Sequence, residues 1–262
     1  MEPLFDKALV RRRFSKAAKS YDKASFLQKE VGKRLLEHLE GMVLEPRAMA
    51  DLGSGTGEFT RALLQRFPKA HVLGMDFSLA MCHQAQRKSR PWKKNPFFVA
   101  ADAEALPLFP QSLELLASNL MLQWVDEPMA VFSQARQALR PRGLFLFSTF
   151  GPDTLKEIRG AFSEDVPHTS FFWDMHDLGD MLSASGFSSP VLDREDLRVC
   201  YPDPRSLFLE LKTLGATCAH RARRSTLMGK GRWQKAMAHL CAQGDFFATW
   251  EVIYAHAWAP GK

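Results

Sequence analysis

Three aspartates, each at or just after the end of a short apolar run, are the residues of this chain best suited to chemistry. Asp51 closes MAD, Asp76 closes HVLGMD and Asp102 follows FFVAA. Three glycines alternate between positions 53 and 57, directly after the first acid. Alternating glycines let a loop bring its backbone amides close to a ligand, and the N-terminus of the helix that follows faces the same point. These residues predict a pocket for a small polar molecule.

The position of Asp51 narrows the choice of ligand. A carboxylate two residues before the glycine loop would repel a pyrophosphate and suits a cation, which argues against a dinucleotide. Asp76 lies nineteen residues after Gly57, where nucleotide-binding α/β units place an acid on the ribose hydroxyls. An amino or sulfonium group, a ribose and an adenine amine describe S-adenosyl-L-methionine better than NAD.

We therefore expect S-adenosyl-L-methionine as the cofactor, in a site built around the glycine loop. Asp76 is predicted to contact the ribose and Asp102 the adenine amine, with the loop at the methionine end. The full predicted set is Asp51, Gly53, Ser54, Gly55, Gly57, Asp76, Phe77, Asp102, Ala103 and Asn119.

Alternating strands and helices must position these residues. The hydrophobic pattern predicts strands near 48–52, 71–76, 97–101, 113–118 and 143–149, separated by helices over 57–67, 78–89 and 128–139. Such alternation is typical of a parallel sheet with helices on both faces. We expect an α/β, Rossmann-like fold whose mostly parallel sheet has seven strands.

The ends of the chain depart from this alternation and predict four segments. Residues 1–42 are expected to form an N-terminal helical lid, 43–202 the core, 203–244 a basic helical insertion and 245–262 a final strand. Two further details are predicted from local chemistry. Asp153 should cap a helix over GPDTLKEIRGAF, and the turn Pro141-Arg142-Gly143 should lead into the fifth strand.

Composition excludes several classes of protein. No apolar run approaches the roughly 18 residues that cross a bilayer, and the first residues are too charged for a signal peptide. We expect a cytoplasmic protein without a membrane partner. The four cysteines, at positions 82, 200, 218 and 241, form no C-x-x-C pair, so we expect free, mostly buried thiols and no metal site.

The net charge of +6 is concentrated in two segments. Ten basic residues and two acids lie between Lys7 and Arg34, while the stretch from Leu211 to Gly244 has seven basic residues and no acid. Such segments are either solvated helix faces or surfaces for an anionic partner. Nucleic acid and an acidic protein both qualify.

Several stretches resemble one family. The glycine loop and the three acids are similar to those of class I methyltransferases, and nearly the whole chain resembles the malonyl-[acyl-carrier protein] O-methyltransferases of biotin synthesis. The matching stretches include RRRFSKAAKSYDKASFLQ, SNLMLQWVDEP, STFGPDTLKEIRGAF, TLGATCAHRARRSTLMG and TWEVIYAHAW. The chain departs from the family pattern at Cys218, His220 and Trp250.

The resemblance implies methyl transfer from S-adenosylmethionine to the free carboxyl of a malonyl group carried on acyl carrier protein. An arginine fork suits a carboxylate, so Arg159 and Arg205 are candidates to hold it. Tyr21 is a third, since its hydroxyl could orient the carboxylate or close over the donor. His256 matches a family position, but a single histidine on a buried strand is typical of a core residue.

The acidic carrier protein is expected to dock on a basic surface centred on Arg221, Arg223 and Arg224. We expect a monomer. Three alternatives stay open: methylation of another small carboxylate, methylation of nucleic acid, and a non-methylating assembly factor of the same fold. The stretch after the fourth strand, Ser118 to Met121, lacks the N/D-P-P-Y/F box of amino-directed base methylases, which argues against nucleic acid.

Overall fold

A computed structural model describes residues 4–162, 169–222, 229–241 and 245–261. Its centre is one seven-stranded sheet in the order β3-β2-β1-β4-β5-β7-β6. The strands are β1 (Ala48–Leu52), β2 (His71–Asp76), β3 (Phe97–Ala100), β4 (Leu113–Asn119), β5 (Leu139–Phe150), β6 (Ser188–Tyr201) and β7 (Phe246–Trp258). Strands β1 to β5 run parallel to one another, and β7 runs antiparallel to both β5 and β6. The expected mostly parallel sheet is confirmed.

Helices cover both faces of the sheet, because alternate residues of the central strands point to opposite sides. Met49 of β1 joins one apolar cluster, while Ala50 and Leu52 join the other. The described helices are α1 (Lys7–Ala17), α2 (Tyr21–Ala24), α3 (Phe26–Glu37), α4 (Glu58–Arg66), α5 (Leu79–Arg87), α6 (Pro128–Ala138), α7 (Lys156–Ala161), α8 (Met175–Ala184), α9 (Pro204–Leu214) and α10 (Lys230–Cys241).

Two local predictions were wrong. The helix after β5 begins at Lys156 instead of near Gly151, and its cap residue is Leu155 in a left-handed conformation. The Asp153 side chain does not cap it; Asp153 contributes to the helix its backbone carbonyl, which accepts from the Lys156 amide at 3.2 Å, and an ion pair with the Lys156 side chain. The strand β5 begins at Leu139, before the Pro-Arg-Gly turn. That turn is a bulge inside the strand, where Arg142 has a φ of 63° and the pairing with β4 shifts register.

The last strand in sequence lies inside the sheet. Strand β7 pairs with β5 from Leu144↔Trp258 to Phe150↔Val252 and with β6 along almost its whole length. Helices α9 and α10 therefore lie in the connection between β6 and β7.

The four cysteines differ in exposure. All four cysteines are free, but only Cys82 is buried; Cys200 and Cys241 are exposed, so the expectation of mostly buried thiols was wrong. Cys200 points outward because it lies on edge strand β6, where exposed and half-buried residues alternate. No helix within the described residues has both the length and the apolar character to cross a membrane.

Candidate active site

The glycine loop follows β1 and is fixed by the end of β2. Backbone amides of Gly53 and Ser54 both donate to the carbonyl of Met75, at 2.8 and 2.9 Å. The glycines at positions 53, 55 and 57 all have positive φ, between 52° and 80°, which side chains rarely adopt. A Cβ at Gly53 would also lie 2.4 Å from the side chain of Met121, so the loop needs glycine for space as well as for conformation.

Asp76 organises the loop through both carboxylate oxygens. Its Oδ2 accepts from the Gly55 amide at 2.9 Å, and its Oδ1 accepts from the Ser78 amide at 2.8 Å. The side chain is buried, and burial raises its pKa to about 6 although both amide bonds favour the ionised form. Asp76 therefore presents a carboxylate to the cavity while it holds the glycine loop in place.

Asp51 lies deeper, behind the loop. One oxygen accepts from the Thr60 hydroxyl at 2.6 Å, and the other has no hydrogen-bond partner among the described residues. Burial raises the pKa of Asp51 to about 7; the bond from Thr60 opposes this shift, and the charge of Asp76 adds to it. A buried acid with an unsatisfied oxygen is a site that a cation would stabilise.

Two more buried oxygens of this region have no partner in the described part of the chain. They are Oε1 of Gln28 on α3 and Oγ of Ser54 in the loop. Buried polar atoms are normally hydrogen-bonded. With Asp51, they are the unsatisfied groups that the amino acid end of a polar ligand would complete, so the residues present fit the expected cofactor.

A cavity opens from the loop toward the lid. Its loop side is lined by Gly53, Gly55, Asp76, Phe77, Asp102, Ala103 and Asn119, all of them predicted cofactor residues. Asp51, Ser54 and Gly57 do not line it and instead shape the loop from behind. Fifteen of the lining positions beyond this set are large apolar side chains or aromatic rings, so the cavity suits a ligand with both polar and apolar parts.

The lid reaches this cavity through Lys7. The ammonium of Lys7 lies 2.9 Å from Oδ2 of Asp102 and also contacts Glu104. Burial alone would raise the pKa of Asp102, but its bonds to Lys7 and to the Glu104 amide hold the pKa below its usual value. Asp102 is half exposed, so its carboxylate remains reachable from the cavity.

Tyr21, Gln28 and Asn119 all line the cavity. The amide nitrogen of Asn119 donates to the Gln28 carbonyl at 2.9 Å, and its oxygen accepts from Ser148 at 2.8 Å. Burial raises the pKa of Tyr21, and the charges of Asp76 and Asp22 add to the shift, so its hydroxyl is a proton donor at any physiological pH. Sequence reasoning missed Gln28, since nothing in the sequence indicates that its side-chain oxygen is buried and unsatisfied.

The far end of the cavity is apolar and uncharged. Phe150, Leu155, Phe172, Leu211 and Trp250 line it, and Trp250 packs on Phe150 with ring centroids 5.1 Å apart. The departures from the family pattern at Cys218 and Trp250 therefore lie in the cavity wall, whereas His220 does not line it.

The two candidate arginines lie elsewhere. Both Arg159 and Arg205 are exposed, and neither lines the cavity. Arg159 donates from Nη1 to the Thr154 carbonyl at 2.6 Å and from Nη2 to the Pro152 carbonyl, so it holds the turn before its own helix. His256 is half-buried on β7 away from the cavity, where burial and then His38 lower its pKa.

The predicted docking arginines are only partly described. Arg223 and Arg224 lie outside the described residues. Arg221 is exposed, its amide donates to the Leu4 carbonyl at 2.9 Å and its Nε donates to the Phe5 carbonyl at 3.3 Å. It therefore joins the insertion to the first residues of the lid.

Comparisons with known proteins agree with this geometry. Residues 50–147 match the family described as Methyltransferase domain. A solved structure of the YcgJ protein from Bacillus subtilis has a TM-score of 0.65 at 14% identity and covers 89% of this chain and 99% of its own. The phosphoethanolamine N-methyltransferase 2 of Haemonchus contortus, solved with S-adenosyl-L-methionine, has a TM-score of 0.59 at 17% identity, over 94% of this chain and 57% of its own. Fold and site thus define a Rossmann-like methyltransferase.

Two curated relatives carry the assignment further. The malonyl-[acyl-carrier protein] O-methyltransferase of Gallionella capsiferriformans is 41% identical over 99% of this chain and 93% of its own length. The protein of the same name from Xylella fastidiosa is 44% identical over 99% of this chain and 90% of its own. The chain belongs to the family of malonyl-[acyl-carrier protein] O-methyltransferases.

Proposed function

We propose that this protein transfers a methyl group from S-adenosyl-L-methionine to the free carboxylate of malonyl-acyl carrier protein. The product is the malonyl methyl ester that starts pimeloyl formation in biotin biosynthesis. The observation that carries the proposal is family membership over nearly the whole chain, at 41% and 44% identity, together with a cavity that joins an acidic, glycine-rich wall to an apolar one.

The residues of the loop side would hold the donor. Asp76 would accept from the ribose hydroxyls and Asp102 from the adenine amine. The unsatisfied oxygen of Gln28, which lines the cavity, would accept directly from the ammonium of the methionine end, and that of Asp51, which lies behind the loop, would accept through a bridging water. When bound, the donor supplies a methyl group on a sulfonium, which is electrophilic without further activation.

The protein does not need a strong base for this reaction. A carboxylate with a pKa near 4 is ionised at pH 7. The task of the chain is to orient that carboxylate and to exclude water from a reaction in which opposite charges are neutralised. The Tyr21 hydroxyl, held neutral by burial, can donate one hydrogen bond to the carboxylate and fix its direction without taking its charge.

The charged side chains that line the cavity are consistent with a tyrosine, and not an arginine, as the group that orients the carboxylate. Lys7 is the one cation among the described residues that line the cavity, and it is already paired with Asp102 and Glu104. An arginine fork clamped on the carboxylate would stabilise its negative charge and make it a poorer nucleophile. We therefore keep Tyr21 in the proposed site and leave Arg159 and Arg205 out of it.

The partner and the setting are part of the proposal. Acyl carrier protein would deliver the malonyl group to a basic surface that includes Arg221, with the protein acting as a monomer in the cytoplasm. Nucleic acid is not expected as a substrate, because the stretch after β4 lacks the base-methylase box.

Methyl transfer from donor labelled on its methyl group tests the proposal. We expect label on malonyl-acyl carrier protein, released as a base-labile methyl ester, and none on the unloaded carrier protein. Label on RNA or DNA alone would support the nucleic-acid alternative. Label on free malonate or another small acid, with none on the carrier protein, would support a small-carboxylate enzyme. A pure, folded protein that binds the donor and methylates none of these would favour the assembly-factor alternative.

A further inference from the structure

The lid and the insertion meet along a line of contact that we call the lid–insertion seam. It joins residues 4–20 to residues 211–222. The contacts run from the Leu4–Arg221 end to the Ser20–Thr213 end, and between them Arg13 reaches across. They comprise Arg221 N to Leu4 O at 2.9 Å, Asp6 N to Ala219 O at 3.2 Å, Arg13 Nη1 to the carbonyls of Thr217 at 3.0 Å and Cys218 at 2.8 Å, and Ser20 Oγ to Thr213 O at 3.3 Å.

Beneath the seam lies a small apolar cluster that continues into the active site. Phe5, Val10 and Ala219 are buried together, and Phe14, Phe77 and Trp124 pack against them. Phe14, Phe77 and Trp124 also line the cavity, as do Ala216 and Cys218 from the insertion. The seam is therefore the outer side of this part of the cavity wall.

Exposed cations flank the seam on both sides. Arg12 and Lys16 lie one turn apart on the outer face of α1, and Lys212 and Arg221 lie on the insertion. The one acid in residues 4–20 and 211–222 is Asp6, whose side chain accepts from the Leu9 amide at the start of α1, and neither Arg12, Lys16 nor Lys212 forms an ion pair with any described residue. This is a positive surface shared by two segments that are distant in sequence.

We propose that the acidic carrier protein docks across the lid–insertion seam and contacts the lid and the insertion at once, so that docking itself holds the lid closed. The proposal rests on the proposed function for the identity of the partner. It differs from a docking site on the insertion alone, because half of the attracting charge belongs to α1. A partner that bridges two segments favours the arrangement in which they touch, and its binding free energy is then linked to closure.

Charge reversal on each side of the seam distinguishes docking across the seam from docking on the insertion alone. The lid pair is Arg12→Glu with Lys16→Glu, and the insertion pair is Lys212→Glu with Arg221→Glu. A matched control reverses Arg90 and Lys93, two exposed cations between α5 and β3, which precede β3 whereas Asp102 follows its other end. All three variants change the net charge by the same amount.

The first measurement is the binding of unloaded acyl carrier protein at low salt, with fluorescence anisotropy as the readout. We expect Kd to rise about tenfold or more for the lid pair and for the insertion pair, with the control pair within about twofold of the parent. Since this assay involves no methyl transfer, it reports on the surface even when the proposed chemistry fails. A lid pair that behaves like the control pair overturns docking across the seam, and so does a parent protein that does not bind carrier protein.

The second measurement is hydrogen exchange over residues 7–17 with unloaded carrier protein. Protection that appears in the parent and is lost with Lys212→Glu alone supports the link between docking and closure, because that variant leaves the hydrogen bonds of Arg221 to Leu4 and Phe5 in place. Unchanged exchange in the parent at saturating carrier protein contradicts it. Turnover of malonyl-CoA is the control for the site itself: both pairs should retain it, and an equal loss on malonyl-CoA would assign these cations to closure of the lid alone.

Discussion

The ammonium of Lys7, at the first residue of the lid helix, lies 2.9 Å from the carboxylate of Asp102, the acid expected to hold the adenine amine. One ion pair thus connects the N-terminal helix α1 to a residue that follows β3 in the cavity wall. The same carboxylate is half exposed and lines the cavity. Closure of the lid and occupancy of the donor site are therefore expected to be coupled through these two side chains.

Exchange of backbone amides in the lid tests that coupling. We expect residues 7–17 to exchange more slowly when S-adenosylhomocysteine is bound, because the lid has to open for the ligand to enter. Lys7→Met should exchange faster in the free protein than the parent, since the contacts to Asp102 and Glu104 are lost. Lys33→Met, which removes an exposed cation from α3, is the matched control. Equal protection with and without ligand would mean that α1 is a fixed part of the core.

Replacement of Asp76 by Asn should weaken donor binding by about 1.5 to 3 kcal/mol, the usual value of hydrogen bonds to a charged group. The loss of binding free energy has two sources: the contact to the ribose, and the hydrogen bond that Oδ2 accepts from the Gly55 amide. Isothermal titration calorimetry with S-adenosylhomocysteine measures it. Asp180→Asn, on the exposed side of α8, should bind as the parent does. A folded Asp76→Asn protein of unchanged affinity would remove Asp76 from the site.

Donor affinity should depend on pH through Asp51. Its pKa of about 7 means that the side chain is mostly neutral at pH 6 and mostly ionised at pH 8. A cationic ligand binds the ionised form better, so affinity should rise with pH across this range, by up to about tenfold per unit where the slope is steepest. Binding should also release protons near pH 6.5, which calorimetry detects in buffers of different ionisation enthalpy. In Asp51→Asn the affinity should be lower and its pH dependence flatter; a profile as steep as that of the parent contradicts the assignment.

The hydroxyl of Tyr21 should matter more than either candidate arginine. We expect Tyr21→Phe to lower kcat/KM for malonyl-CoA by roughly tenfold, the cost of one hydrogen bond to a charged group. Arg159→Gln and Arg205→Gln should stay within about twofold, since neither side chain lines the cavity. Tyr254→Phe removes a hydroxyl outside the cavity and serves as the control. A large rise in KM for either arginine variant would bring that residue back as the carboxylate ligand.

The sequence predicted the part of the site that one short stretch can encode. The acids at the ends of β1 and β2 and beyond the end of β3 come together because the carboxyl ends of parallel strands lie on the same side of the sheet. The hydrophobic pattern of the sequence was enough to predict where those strands lie. Glycines that need positive φ were equally visible. The start of α7 and the bulge in β5 were not, because they depend on how β5 pairs with β4 and on backbone strain at Leu155 and Arg142.

The substrate side was harder to predict for a different reason. Arginine is a good carboxylate ligand wherever it occurs, so residue type could not show that Arg159 bonds instead to the carbonyls before its own helix. For Gln28 the residue type gave no indication of a role in the site. Its residue type is common in exposed helices, and only the packing of α3 on Asn119 makes its side-chain oxygen a buried, unsatisfied acceptor.

The place of β7 has a consequence for synthesis of the protein on the ribosome. In the part of the chain that the structure describes, strand β6 pairs with β7 alone, and it is translated before β7, with α9 and α10 between them. Until residues 246–258 have been translated, β6 has no partner and β5 has one open edge. A nascent chain at that stage exposes unpaired strand edges, which attract other chains. Nascent chains arrested before residue 246 should therefore depend on chaperones, whereas chains that include β7 should not.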